Sequence, residues 1–315
     1  MKISLPESRL TQLLEPLELC AVCPRNCRVN RFQGENGICG SDAGFNISYI
    51  CVHMGEEPVI SGIHGICNVF FSRCNLSCIY CQNYQISSNR GLVNEHSMQL
   101  GEVVDSITKI LEQGCHAVGF VSPSHYIPQV KAIIEALRMQ GSSPVYVYNT
   151  NGYDKIEEIR GLESYIDIYL PDYKYSDNKL ALKFSKVNDY QQHAYAAIKE
   201  MYRQKGSTLV MHESGYAEKG LIIRHLVLPG NITNSLKVLS DIAEISTSIA
   251  ISLMAQYYPV LAVKQHAELG RQITEDEYQA VKTELDSLGF YKGWIQELES
   301  SGNYRPDFES DNPFG

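Results

Sequence analysis

The stretch Phe70-Phe71-Ser72-Arg73-Cys74-Asn75-Leu76-Ser77-Cys78-Ile79-Tyr80-Cys81-Gln82-Asn83-Tyr84 carries three cysteines in a C-x3-C-x2-C triplet. It directly follows an apolar, strand-like run from Ile66 to Phe71. Three thiolates this close, with no obvious fourth, suit a 4Fe–4S cluster with one iron left open. Four-cysteine sites close such a cluster for electron transfer. A missing protein ligand leaves a coordination position where a substrate can bind. Zinc, or a chance gathering of thiols, is the competing reading, because C-x2-C pairs are common. The position of the triplet at the end of a strand favours the cluster.

Working outward, short apolar runs alternate with amphipathic ones. Strands are expected at Cys67–Phe71, Ala117–Val121, Val145–Asn149, Tyr165–Leu170, Ile222–Leu228 and Ala250–Met254. Between them, Ser97 to Gln113 places Val103, Val104, Ile107, Ile110 and Leu111 near one face, which is helical spacing. Gly114 supplies its stop. Pro128 to Met139 opens on proline and carries Val130, Ile133, Ile134 and Leu137. Asp154 and Glu157 have the spacing of a capping box. Val187 to Arg203 and Ser235 to Ile245 fill the remaining crossovers. This is the pattern of repeated βα units on a parallel sheet. Periodicity alone allows either a partial (β/α)6 barrel or an open doubly wound sheet.

The chain divides into a cysteine- and glycine-rich N-terminal extension (1–62), the βα core (63–263) and a C-terminal helix and tail (264–315). Its 315 residues suit one barrel-sized domain with extensions. No apolar run approaches a membrane span, and the opening residues lack a signal-peptide core. Seven of the ten cysteines fall in two tight groups, which reads as metal ligation in a reducing, cytoplasmic compartment rather than disulfides. A net charge of −9 gives no general attraction to nucleic acid.

The triplet, with Tyr80 just before its last cysteine, resembles the signature of the radical S-adenosylmethionine (SAM) superfamily. The resemblance implies an α/β partial (β/α)6 TIM-like barrel. It also implies an oxidoreductase in which a 4Fe–4S cluster on Cys74, Cys78 and Cys81 binds the amine and carboxylate of SAM at its open iron. One electron then releases a 5′-deoxyadenosyl radical that abstracts hydrogen. In that family the residue matching Tyr80 packs on the adenine.

Ligands of such barrels sit at the carboxyl ends of the strands. After the second strand stand Ser122, Pro123, Ser124 and His125, where related activating enzymes carry a glycine-rich turn that holds the SAM amine. Ser122, Ser124 and His125 match by position only, and a polar turn fixed by Pro123 reads equally well. After the third strand comes Asn149-Thr150-Asn151-Gly152, and after the fourth Asp172-Tyr173-Lys174. Here the chain resembles the pyruvate formate-lyase activating enzymes, which hold the SAM carboxylate and ribose with such residues, partly through a monovalent cation. Oxygen ligands suit a hard cation, and Lys174 suits a carboxylate. Asn149 stands where that group usually has Asp, which removes a charge from a cation site. Arg224 opens a run ending in Pro229-Gly230 that is similar to an activase run whose arginine reaches the SAM carboxylate. Gln256 stands near the place of an activase histidine; Tyr257 and Tyr258 read as packing.

The N-terminal extension holds Cys20, Cys23, Cys27 and Cys39. Four thiols with glycines at the corners can close a zinc site or hold a second Fe–S cluster. The opening, followed by His53-Met54-Gly55-Glu56-Glu57-Pro58, resembles a branch of activase-like iron–sulfur proteins. No role attaches to His53, Glu56 or Glu57, and the glutamate pair reads as a solvated turn. Cys51, Cys67 and Cys115 read as small buried hydrophobes.

The expected function is a radical SAM enzyme, with a flavodoxin or ferredoxin as reductant. The hydrogen donor would be a glycine of a partner protein, by analogy with the activases. Modification of a peptide, a metabolite or RNA is the alternative enzyme reading. A non-catalytic iron–sulfur or zinc protein is the reading from another class. Thr150, Asp172, Lys174 and Arg224 speak against it, because an electron carrier needs no groups for an amino acid.

Overall fold

The computed structural model describes residues 4–302, 305–310 and 312–314. Their strands are β1 (Phe45–His53), β2 (Ile66–Phe71), β3 (His96–Met98), β4 (Ala117–Val121), β5 (Val145–Thr150), β6 (Ile168–Pro171), β7 (Val210–Met211), β8 (Ala217–Leu226), β9 (Ala250–Met254) and β10 (Gly293–Ile295). The sheet order is β10-β9-β8-β6-β5-β4-β2-β1-β3, with β7 attached to β8. From β2 to β10 every neighbour along this path is parallel. β1 runs antiparallel to both β2 and β3. Helices at Leu100–Leu111, Ile127–Met139, Ile156–Arg160, Tyr190–Lys205 and Ile232–Ile245 make the crossovers. The sheet ends on β3 and β10 without closing, so this is a partial barrel.

Alternation along the strands sorts two cores. Ile66, Ala117, Val147, Ile168, Ile222 and Ala250 form one apolar cluster with Ile60, which the short helix Pro58–Ser61 pushes in beneath them. The residues between them, such as Val118, Tyr146, Tyr169, Leu221 and Ile251, pack outward on the helices. Two positions further along the inward face the lining turns polar, at Asn68, Asn149, Arg224 and Ser252. All but Arg224 are buried to within a few per cent. Gly119 belongs to the same layer, and a Cβ there would collide with the Asn68 side chain. This polar layer divides the apolar floor from the mouth.

Several expectations are corrected. β1 was not expected, although Phe45, Ile47 and Tyr49 alternate with Asn46 and Ser48; β3 is only three residues long, and β10 extends the sheet beyond the expected core. The segment Ser97 to Gln113 starts as strand, and its helix begins at Leu100 behind a capping box between Gln99 and Glu102. Asp154 does not cap the helix Ile156–Arg160, whose N-cap is Lys155. Its carboxylate instead accepts the hydroxyls of Tyr148 (2.9 Å) and Thr150 (2.5 Å) inside the barrel wall. Among the described residues no helix is long and apolar enough to cross a membrane.

Candidate active site

The loop after β2 presents the triplet. Cys74 is buried, while Cys78 and Cys81 are half-buried. Each sulfur accepts a hydrogen bond. Cys74 receives the Asn151 amide at 3.2 Å and the Leu76 N–H at 3.4 Å. Ser185 donates to Cys78 at 2.9 Å, and Ser87 to Cys81 at 3.2 Å. Burial raises the Cys74 thiol to about 12. Burial also raises Cys78, to about 11, against the opposing pull of the Lys174 ammonium.

The same cavity is lined by Asn149, Asp172, Lys174 and Arg224 at the strand ends. Lys174 Nζ lies 2.6 Å from Asp172. Arg224 donates from Nε to Asp172 at 2.9 Å, from Nη1 to Glu56 at 3.1 Å and from Nη2 to Asn149 at 2.6 Å. Glu56 accepts in turn from Asn68 (2.9 Å) and Asn149 (3.0 Å). Burial works against the Asp172 carboxylate, but Arg224 and Lys174 outweigh it and hold its pKa below the ordinary range. Glu57 is pushed the other way, upward, by burial. Asn149 therefore gives its oxygen to a guanidinium.

The Asn149-to-Gly152 turn fits against Asp172. Gly152 has φ +81°, and a Cβ there would strike the Asp172 carbonyl oxygen. The Asn-Gly signal thus marks a close backbone approach as well as a turn.

Tyr80 is buried on this cavity, its hydroxyl 2.6 Å from that of Tyr175. Tyr175 pairs with Ser185, the donor to Cys78. Ser122 also lines the cavity, in a left-handed conformation with φ +50°. Three residues are placed elsewhere. Ser124 and Thr150 bond to each other at 3.0 Å and are buried in the wall. His125 lies behind the wall, against the N-terminal cysteines. Gln256 lines the mouth and accepts Gln82 through its carbonyl. Tyr257 is buried and donates to Leu269.

Glu56 and Glu57 overturn the solvated-turn reading. β1 leads them to the barrel interior, and the Glu56 side chain is 7% exposed. The unbalanced cation Arg224 on an inward-facing strand position was the available signal. The tail was also missed. Phe308 packs on Phe70 with ring centroids 5.3 Å apart, and Phe314 lies 4.3 Å from His53. Gln85 clamps it through Asp307 and the Phe308 N–H, both at 2.8 Å. The tail thereby walls one side of the mouth.

This fold and mouth define a SAM-type partial barrel, and residues 68–213 match the model of the Radical SAM superfamily. That match runs from β2 to β7 of the barrel. An uncharacterized protein of Methanocaldococcus jannaschii is 27% identical over 264 residues, covering 82% of this chain and 72% of that one. Among solved structures, SuiB of Streptococcus suis bound to S-adenosylmethionine is similar at 15% identity and a TM-score of 0.47, over 71% of this chain and 48% of that one. The chain thus spans about half the length of SuiB. A domain of a pyruvate-formate lyase-activating enzyme from Bacteroides vulgatus is similar at 16% identity and a TM-score of 0.38, over 54% of this chain and 93% of that one.

A radical SAM domain implies a 4Fe–4S cluster and SAM, and the donor set fits both. Three thiols with directed hydrogen bonds share a cavity with paired charges of both signs, as an amino acid requires. Among the described residues no three His, Cys, Asp or Glu side chains gather tightly enough to hold a single metal ion.

Proposed function

We propose that Cys74, Cys78 and Cys81 hold the cluster, and that the Asp172, Lys174, Arg224 and Asn149 lattice holds SAM on its open side. When bound, cluster and SAM supply a one-electron cleavage that yields a 5′-deoxyadenosyl radical for hydrogen abstraction. The observation that carries the reading is the shared cavity: triplet and lattice line one mouth. Lys174 offers a donor to a carboxylate, Asp172 and Glu56 offer acceptors to an ammonium, and Arg224 holds Asp172, Glu56 and Asn149 in place for them. Arg224 already supplies positive charge among these oxygens, so the lattice functions without a monovalent cation. Tyr80 and the tail phenylalanines exclude water from the mouth.

The hydrogen donor is proposed to be a glycine in a partner protein or peptide. Support comes from the activase-like order of Asp172, Lys174 and Arg224 alone. The reductant is proposed to be an acidic one-electron carrier of flavodoxin or ferredoxin type. A groove on the outer side of the triplet supports that choice. Arg25, Arg73, Arg90 and Lys186 line it, and no carboxylate does among its described residues. The test is anaerobic reconstitution and reduction with SAM, assayed for 5′-deoxyadenosine with and without cell extract. Formation stimulated by extract is expected; none under either condition contradicts the proposal.

A further inference from the structure

Cys20, Cys23, Cys27 and Cys39 line one pocket behind the barrel wall. Local geometry explains why. Cys20 and its neighbours are tied by Cys20 N–H to Val29 O (2.9 Å) and Arg28 N–H to Cys20 O (2.8 Å). Asn26 and Arg28 take left-handed conformations, with φ +48° and +56°, folding the intervening residues back. The Ile38 N–H points at Cys27 Sγ from 3.3 Å. Gly37 leaves room for that sulfur, since a Cβ there would lie 3.1 Å from it. Buried Arg31 approaches Cys20 Sγ to 3.9 Å while bonding the carbonyls of Asp42 and His125. His125 lines the pocket too, and its Nδ1 is buried without a partner.

Tetrahedral zinc takes Zn–S bonds of about 2.3 Å, whereas four thiols around one enclosed pocket also suit the larger core of a 4Fe–4S cluster. N–H groups and a guanidinium aimed at sulfur are interactions that set iron–sulfur potentials.

We propose that Cys20, Cys23, Cys27 and Cys39 ligate a second 4Fe–4S cluster, closed by four thiolates, and that Arg25 links it to the triplet site. Arg25 stands between Cys23 and Cys27. Its Nε donates 2.8 Å to the carbonyl of Asn75, the neighbour of Cys74, and its Nη1 donates 2.8 Å to Lys186 O. It lines both this pocket and the groove outside the triplet. Closed clusters serve electron transfer. One electron from the small carrier protein reduces the second cluster by one charge and leaves it again toward the triplet site. No bond forms or breaks, and no proton moves. Only this linkage rests on the function proposed above; the metal site stands without it.

The test replaces Cys74, Cys78 and Cys81 together by Ala and measures metal and sulfide after anaerobic reconstitution. About four irons and four sulfides per chain are expected. One zinc, or a protein folded by circular dichroism that retains neither metal, overturns the site. Should the triple replacement not fold, wild-type protein decides: about eight irons support two clusters and about four overturn the second. Replacing Cys20, Cys23, Cys27 and Cys39 instead reports on the triplet alone, so failure of either site is distinguishable. Fully reduced wild type should show electron paramagnetic resonance lines broadened beyond the sum of the two variants. A spectrum equal to that sum overturns the link through Arg25.

Discussion

Arg224 commits three donor positions to Asp172, Glu56 and Asn149, which makes it the centre of a buried charge lattice rather than a free anion hook. Removing one partner leaves a buried charge unbalanced, which costs about 3 kcal/mol or more. Glu56→Gln should therefore lower unfolding free energy by about 3 kcal/mol, read from urea melts. An unchanged midpoint would mean that Glu57 takes over the charge. Asp172→Ala and Arg224→Ala should each weaken SAM binding to the reconstituted protein by roughly ten- to a hundredfold, since a charge-assisted hydrogen bond is worth about 1.5–3 kcal/mol. Unaltered SAM titrations with intact cluster spectra would remove the lattice from the SAM site. At this scale the residues singled out in the sequence, Asp172, Lys174, Arg224 and Tyr80, line one cavity. The sequence could not separate Thr150 and Ser124, whose hydroxyls turn into the wall toward Asp154. A strand-end position fixes where a residue is, not which of two polar neighbourhoods its side chain joins.

β8 brings His225 into the wall beside Arg224. Its Nδ1–H donates to the Tyr173 carbonyl at 2.7 Å, and its Nε2 accepts from Ser235 at 2.9 Å, which fits the neutral ring. Burial, aided by Lys174, pushes its pKa down to about 4 from 6.5. The unfolded chain thus takes up the proton first as pH falls. The stability His225 contributes is complete above pH 6.5 and is lost between there and pH 4, by about 3 kcal/mol. His225→Gln should flatten the fall in stability across that window relative to wild type. Equal slopes in urea melts from pH 7 to 4 would place the ring's titration elsewhere. The tail behaves as a separate element. Phe308→Ala should raise hydrogen exchange at residues 85–94, which Asp307 and Phe308 touch, while leaving β4 to β6 protected. No change there would mean the tail does not hold the mouth. The strong helical and apolar periods were legible because each follows one buried face. β3 and β10 were not, because three residues are too short to show a period; β1 carried its signal in Phe45, Ile47 and Tyr49 alternating with Asn46 and Ser48.

The whole molecule is one partial barrel whose polar layer separates an apolar floor from a reactive mouth. The parallel βα order was visible in the sequence, but barrel and open sheet share that period. The family resemblance at the triplet chose between them, and the strand pairing agrees. Arg224 on an inward-facing strand position called for a buried carboxylate, but only the three-dimensional path of β1 shows that the Glu56-Glu57-Pro58 turn supplies it. The central claim is that Cys74, Cys78 and Cys81 carry the cluster that delivers the electron to SAM. Its most direct test is 5′-deoxyadenosine formation by Cys78→Ala protein, reduced under strict anaerobiosis beside the wild type. Loss of the product is the expected result, and formation at the wild-type rate would contradict the account.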